Sequence, residues 1–305
     1  MRRPLLGALV AVTVVAVWVL AAPLAAGQGQ SFVTTSVCPD DTPAKFHPCA
    51  LTAAKTFTPP RGADGKPDMS GYWRRRAAAF EDLEAHPRTP DDGGGPSVVV
   101  DPPDGKVPMQ PWADLRRREN AAKYLHHNAA CLPAGAVPTM YMANLYQFLQ
   151  TPDYLAVVGE GLSEHPYRTI PLGGTPVGRK IVMFQGDSRG RWEGNTLVVE
   201  TTNFNDRSPA TNFLGSTDAL QLVERFTIVD ANTLRYEYTV TDPKTWTRPW
   251  SVEAPLPRID PPLYEFACHE QNYGLINLVM GAQIRATEGI LDPRDPRATS
   301  QTAPR

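Results

Sequence analysis

Residues 268–273 read Cys-His-Glu-Gln-Asn-Tyr, which puts a thiol, an imidazole, a carboxylate and a phenol in one short run. Such a run suits acid/base chemistry. His269 is a general base once a carboxylate, Glu270 or another, orients its ring, and Tyr273 is an acid or hydrogen-bond donor. Strand geometry limits the idea. Neighbouring residues on a strand point to opposite faces, so His269 and Glu270 cannot both enter one interior. The same residues also suit a polar strand end pinned by a disulfide.

A second cluster is Gly186-Asp187-Ser188-Arg189-Gly190-Arg191-Trp192-Glu193. Asp187, Arg189, Arg191 and Glu193 form either a carboxylate-binding or acid/base set, or a salt-bridged rim that positions a turn. A paired-carboxylate glycosidase would use Asp187 with Glu193, or Glu160 with Glu224. Arg191 and Trp192 face opposite ways on a strand. Trp192 then serves as a pocket wall and Arg191 as a rim charge, with the reverse assignment as the alternative. Arg168, Glu224 and Arg225 fall inside strand-like runs, where an inward charge needs a partner or a ligand. Tyr236 lies on an alternating run and faces the same interior.

Other chemistry is excluded by spacing. Gly186–Gly190 spells Gly-x-Ser-x-Gly, but a strand follows it where a nucleophile elbow needs a helix. His126-His127-Asn128 ends a helical run, and a metal reading would join one of them to His165 and His269. No paired-histidine ligand spacing occurs, so no metal is expected. No phosphate loop or dinucleotide fingerprint occurs, so no cofactor is expected. A formal net charge of −2 argues against nucleic acid or an anionic membrane as partner.

The elements that must position these residues begin with an export signal. Arg2 and Arg3 precede an apolar run from Pro4 to Leu20, then the small residues Ala21–Gly27. That layout predicts cleavage near Ala26 and a secreted or periplasmic chain without stable membrane insertion; an uncleaved anchor is the alternative. Four cysteines in an oxidising compartment allow three pairings. Cys38 and Cys49 suit a local staple, leaving Cys131 with Cys268, a long-range bridge worth about 4–5 kcal/mol in loop-closure entropy.

Residues 27–60 read as a flexible arm and 61–130 as a helical, loop-rich segment, with helices expected over 74–86 and 112–128. Residues 87–111 hold seven prolines and read as a loop. Residues 131–290 carry short β-type runs at 146–150, 154–159, 168–172, 180–184, 196–202, 220–229, 233–241 and 250–253. Residues 187–192 read as the end of a preceding strand, before the turn Glu193–Thr196. Turns separate the runs and no helix intervenes, which indicates an antiparallel meander. One short helix is expected over 275–290 and a disordered tail over 291–305.

Asp64-Gly65-Lys66-Pro67-Asp68-Met69-Ser70-Gly71-Tyr72-Trp73 resembles the opening motif of a large family of secreted bacterial proteins. The likeness continues through Gly190–Thr201, Glu224-Arg225-Phe226, Thr247-Arg248-Pro249-Trp250 and Tyr264–Glu270, in the family's order. It departs at Asn195, where relatives often carry Asp, and at Ser216-Thr217-Asp218, where they carry His. The resemblance implies an exported, strand-rich domain and carries no reaction. A fold-level likeness to lipocalin-type barrels adds an up-and-down order.

The composite expectation is a mainly-β, antiparallel up-and-down barrel or sandwich with a helical, loop-rich N-terminal part. It binds or processes a small, partly apolar organic molecule in its pocket. Arg168, Asp187, Arg189, Arg191, Trp192, Glu224 and Tyr236 are the ligand candidates, and His269, Glu270 and Tyr273 the catalytic ones. The competing functions are a cofactor-independent hydrolase, lyase or isomerase using His269, and a structural or interaction module of the cell envelope.

Overall fold

Alternation of apolar and polar residues drives one face of each strand into a shared core. The computed structural model describes residues 36–40, 42–74, 83–87, 94–123, 131, 145–160, 167–205, 216–259, 263, 270 and 272–290. Its ten strands form two antiparallel sheets. The smaller sheet is ordered β1 (Gly71–Arg74), β3 (Leu145–Gln150), β4 (Tyr154–Gly159), β5 (Tyr167–Pro171). The larger runs β2 (Val99–Asp101), β10 (Trp250–Pro257), β9 (Thr233–Thr241), β8 (Gln221–Asp230), β7 (Thr196–Thr202), β6 (Asp187–Glu193). The expected mainly-β antiparallel class is therefore present.

Register sets the inner face. Leu222, Glu224, Phe226 and Ile228 of β8 lie opposite Val240, Tyr238, Tyr236 and Leu234 of β9. All eight are buried. Residues from both sheets share one core. Edge-to-face contacts join Trp73 to Phe148 (6.5 Å between centroids) and Phe148 to Phe226 (5.8 Å), and Phe226 stacks on Tyr236 (4.9 Å). Large aromatic rings thus fill the described interior and cross between the sheets.

Single bridges tie the two sheets at both lateral edges. Leu172 pairs in parallel with Gly190, and the Gly173 amide donates to the Gly190 carbonyl at 2.8 Å. On the other side Trp73 pairs with Arg258, whose guanidinium sits 4.3 Å above the Trp73 ring. Close approach at the first seam depends on Gly190. A Cβ there would stand 2.7 Å from Leu172 Cδ2 and 3.3 Å from both Ile170 Cγ2 and Leu197 Cδ1.

The connections differ between the ends of the strands. At one end the links are the short turns 151–153, 194–195 and 231–232. At the other they are 160–166, 203–220 and 242–249. Because β5 and β6 run parallel at their seam, residues 173–186 must return the chain along the strand length. This explains why 180–184, expected as a strand, makes only the single bridge Met183–Phe204. Residues 187–193 are a strand in their own right.

Residues 43–56 depart from the expected flexible arm. They form helix α1 (Pro43–Thr56), which packs on β8, β10 and β2. Phe46 and Ala50 are buried there with Val229, and the Cys38–Cys49 disulfide, Cα atoms 5.6 Å apart, staples the helix as expected. Pro43 suits the first helical turn, and two buried residues were too short an apolar stripe to signal from sequence. The N-terminal segment also supplies β1 and β2 to the sheets. Helix α2 spans Pro111–Lys123 and α3 spans Tyr273–Glu288, close to expectation. Of the helix expected over 74–86, Arg74 belongs to β1 and 83–86 are not helical. The signal segment and the tail beyond residue 290 lie outside the described residues. No helix among the described residues is long and apolar enough to cross a membrane.

The seam supplies a test. Gly190→Ala should destabilise by roughly 1–3 kcal/mol, because the added methyl meets Leu172 in a packed site. In the Gly190→Ala/Leu172→Ala double variant the two costs should be less than additive. Strict additivity in urea denaturation would show that the seam does not depend on this contact.

Candidate functional site

Five polar side chains at inward positions meet. Arg168 on β5 extends from the smaller sheet toward Ser188 (β6), Thr201 (β7), Glu224 (β8) and Tyr236 (β9) of the larger one. Arg168 Nη1 donates to Glu224 Oε1 at 2.8 Å and Nη2 to Oε2 at 2.5 Å. Arg168 Nε donates to Ser188 Oγ at 3.1 Å, and Nη2 also donates to Thr201 Oγ1 at 2.8 Å. The Tyr236 hydroxyl donates to Glu224 Oε1 at 2.9 Å. Arg168 is 7 % exposed and Glu224 fully buried.

The electrostatics follow from that burial. Desolvation pulls the Arg168 pKa down, but the charge and hydrogen bond of Glu224 outweigh it and hold it above its ordinary value. Burial first, then the charge of Glu224, pushes the Tyr236 phenol well above the ordinary tyrosine value. Arg168, Glu224 and Tyr236, expected around a ligand, are thus brought together and satisfy one another. The partner that each inward charge required is supplied by the protein itself.

The Gly186–Glu193 run splits between both faces of β6. Trp192 points inward, half-buried, and packs against the core, with its buried indole N–H unpaired among the described residues. Arg191 points outward and pairs with Glu200 at 2.5 Å and Glu193 at 2.9 Å; Arg225 approaches Glu193 at 3.4 Å. The hydrogen bond to Glu200 is the main cause of the raised Arg191 pKa. Asp187 and Arg189 secure the returning 173–186 segment. Asp187 Oδ2 accepts from the Val177 amide at 2.6 Å, Arg189 Nε donates to the Thr175 carbonyl at 3.0 Å, and the two side chains pair at 2.5 Å.

Of the acid/base run, Glu270 is exposed, and Tyr273 is 65 % exposed at the first position of α3. Asn272 caps that helix, accepting from the Leu275 amide at 3.2 Å and donating to Cys131 Sγ at 3.1 Å. Cys131 is disulfide-bonded. His269 and Cys268, with His126, His127 and His165, lie outside the described residues. No cluster of three metal-ligating side chains occurs among the described residues.

A cleft of about 850 Å³ opens at the long-connection end, lined by Trp112, Arg116, Val182, Phe204, Thr217 and Lys244, with Gln110, Asn205 and Asp218. Buried Asp242 organises one wall. Its carboxylate accepts from the Thr217 amide at 2.7 Å, the Lys244 amide at 3.0 Å and the Thr245 hydroxyl at 2.9 Å. The Gln110 amide donates to the Thr245 carbonyl at 2.9 Å, which seats the start of α2 on the same loop. Lys244 Nζ lies 3.0 Å from Asp218, whose carboxyl is held below its usual range by that hydrogen bond and charge. Sequence reasoning missed this site. Its one local signal is Trp112 and Arg116, four apart on a helix and therefore on one face.

Two variants test the interior cluster. Glu224→Gln leaves the Arg168 charge buried without its counter-charge and should cost about 3–5 kcal/mol in urea denaturation. A cost under about 1 kcal/mol would mean that the cluster is dispensable. Tyr236 carries the pH dependence. A folded pKa above the unfolded one gives stability that is fully present below about pH 10 and is lost as pH rises through the folded value. Tyr236→Phe should therefore lose stability less steeply than the parent above about pH 10; parallel curves would exclude this role.

Against protein-family models and curated proteins the sequence finds no match, so the functional reading rests on the geometry.

Proposed function

We propose that the chain is an exported binding protein for a small, partly apolar organic molecule, and that the site is the cleft at the long-connection end. In this reading β1-β3-β4-β5-β6-β7-β8-β9-β10 act as one barrel, supported by the bridges at both seams. The observation that carries the reading is the cleft itself. Its lining combines the apolar surfaces of Trp112, Val182 and Phe204 with the polar groups of Gln110, Arg116, Thr217 and Lys244. Small-molecule sites combine these features, at volumes of roughly 300–1,000 Å³.

Two further facts support the mouth over the barrel interior. The described interior is occupied by Trp73, Tyr146, Phe148, Phe226, Tyr236, Tyr238 and Trp250, all fully buried. The inward charges are already paired. Long connections carried on a rigid strand scaffold are where binding residues concentrate. Export is read from Arg2, Arg3 and the apolar run to Leu20, and the motifs between Asp64 and Glu270 resemble those of a secreted family. The staple Cys38–Cys49 fits an oxidising compartment.

The site is tested with the mature protein, a fragment library and tryptophan fluorescence. Trp112→Ala should weaken hits by at least about tenfold with little change in melting, since Trp112 is 44 % exposed. Trp192→Phe, at the far end of the strands, should bind as the parent does. Hits that ignore Trp112→Ala and respond to Trp192→Phe would move the site to the opposite end. Export has its own test: N-terminal sequencing should find a start near Gly27, and full-length chain in the membrane fraction would favour an anchor.

A further inference from the structure

We infer that the cleft accepts a flat organic monoanion, an aromatic carboxylate, with its carboxylate on Arg116 and its ring against Trp112. The inference rests on the cleft being the binding site. Charge is the first argument. Three ionisable side chains line the cleft: Arg116, Lys244 and Asp218. Lys244 and Asp218 pair with each other. Among the described residues that leaves Arg116 as the lining cation without a counter-charge.

The helix carrying Arg116 sharpens the contrast. Arg116, Arg117 and Arg118 are consecutive, and Asp114 serves the second and third of them, at 2.6 Å from Arg117 and 3.0 Å from Arg118. Arg116 is half-buried, points into the cleft and has no carboxylate partner among the described residues. A half-buried guanidinium is most stable with an acceptor pair matching its planar fork, which a carboxylate supplies in bidentate geometry.

Shape is the second argument. Trp112 precedes Arg116 by one helical turn, so both project from the same face of α2. The first turn of α2, which holds Trp112, opens on the cleft. A ring lying on Trp112 places a directly attached carboxylate about one helical turn away, over Arg116. Val182 and Phe204 extend the apolar wall. One unpaired cation matches a monoanion, whereas a phosphate dianion is served by several donors or a backbone nest.

The experiment uses mature protein with three probes in calorimetric titration at low salt: 2-naphthoate, its neutral isostere 2-naphthamide, and cyclohexanecarboxylate. The expected order is 2-naphthoate tighter than each of the others by at least about tenfold. Arg116→Gln should bring 2-naphthoate down to the level of 2-naphthamide. Arg116→Lys should retain part of the difference, and Trp112→Ala should weaken both naphthyl probes. Equal affinity of 2-naphthoate and 2-naphthamide, or 2-naphthoate binding unchanged in Arg116→Gln, overturns the anion inference while dependence on Trp112 preserves the cleft. Naphthyl binding indifferent to both residues overturns the cleft as well. No binding of any probe overturns the anion inference, and fragment hits lost in Trp112→Ala would then still support the cleft.

Discussion

The buried pair of Arg168 and Glu224 is the constraint on which the rest of the structure depends. Arg168 belongs to the smaller sheet, and every group it bonds belongs to the larger one. A charge in an aromatic interior is tolerable only if it is neutralised and its donors are used. The guanidinium meets both conditions in one relative placement of the sheets. Apolar contacts alone would tolerate sliding, since aromatic surfaces accept several offsets. The fork on Glu224, with Ser188 and Thr201 alongside, admits one. Tyr236 completes the arrangement by occupying the Glu224 oxygen that Arg168 Nη1 also contacts.

That placement has consequences at the seam and at the mouth. Once Arg168 is anchored, β5 runs beside β6, and Gly190 lets Leu172 close the gap. Parallel neighbours demand a returning segment, and Asp187 and Arg189 hold its 175–177 stretch against the edge of β6. The return delivers Val182 to the cleft. On the far wall Asp242 plays the corresponding part, fastening Thr217 and Lys244 into one surface. Buried carboxylates accepting backbone amides shape both walls.

The outer surface of the larger sheet has its own buried charges. Arg235 and Glu253 are buried there, and Glu253 Oε2 accepts from Arg235 at 2.5 Å and approaches His47 Nδ1 of α1 at 2.7 Å. An isolated carboxylate there would be costly, so α1 does more than cover Val229: it brings a polar partner to Glu253. The Cys38–Cys49 staple restricts the chain leading into that helix.

The strands from β3 onward, helices α2 and α3 and the local disulfide were legible in the sequence, because each depends on neighbours within a few residues; β1, β2 and the irregular 180–184 stretch were not. Alternation reports burial two residues at a time, turn residues report local dihedrals, and close cysteines need no fold to meet. That Trp192 and Arg191 face opposite ways follows from the same alternation, and the fold decided that Trp192 is the inward one. The purpose of a polar residue was not legible, since that depends on what stands opposite. Arg168, Glu224 and Tyr236 looked like ligand contacts because each was an inward polar group on a strand; tertiary structure made them partners of one another. Asp187 and Arg189 looked like a site and became fasteners for a segment whose course only the parallel β5–β6 seam requires. Helix α1 read as an arm because its stability comes from docking on a distant sheet. The cleft assembles Trp112, Val182, Phe204, Thr217 and Lys244 from separate connections. No local pattern encodes their proximity, because proximity at the end of a two-sheet scaffold is set by strand order and by the length of the links between strands.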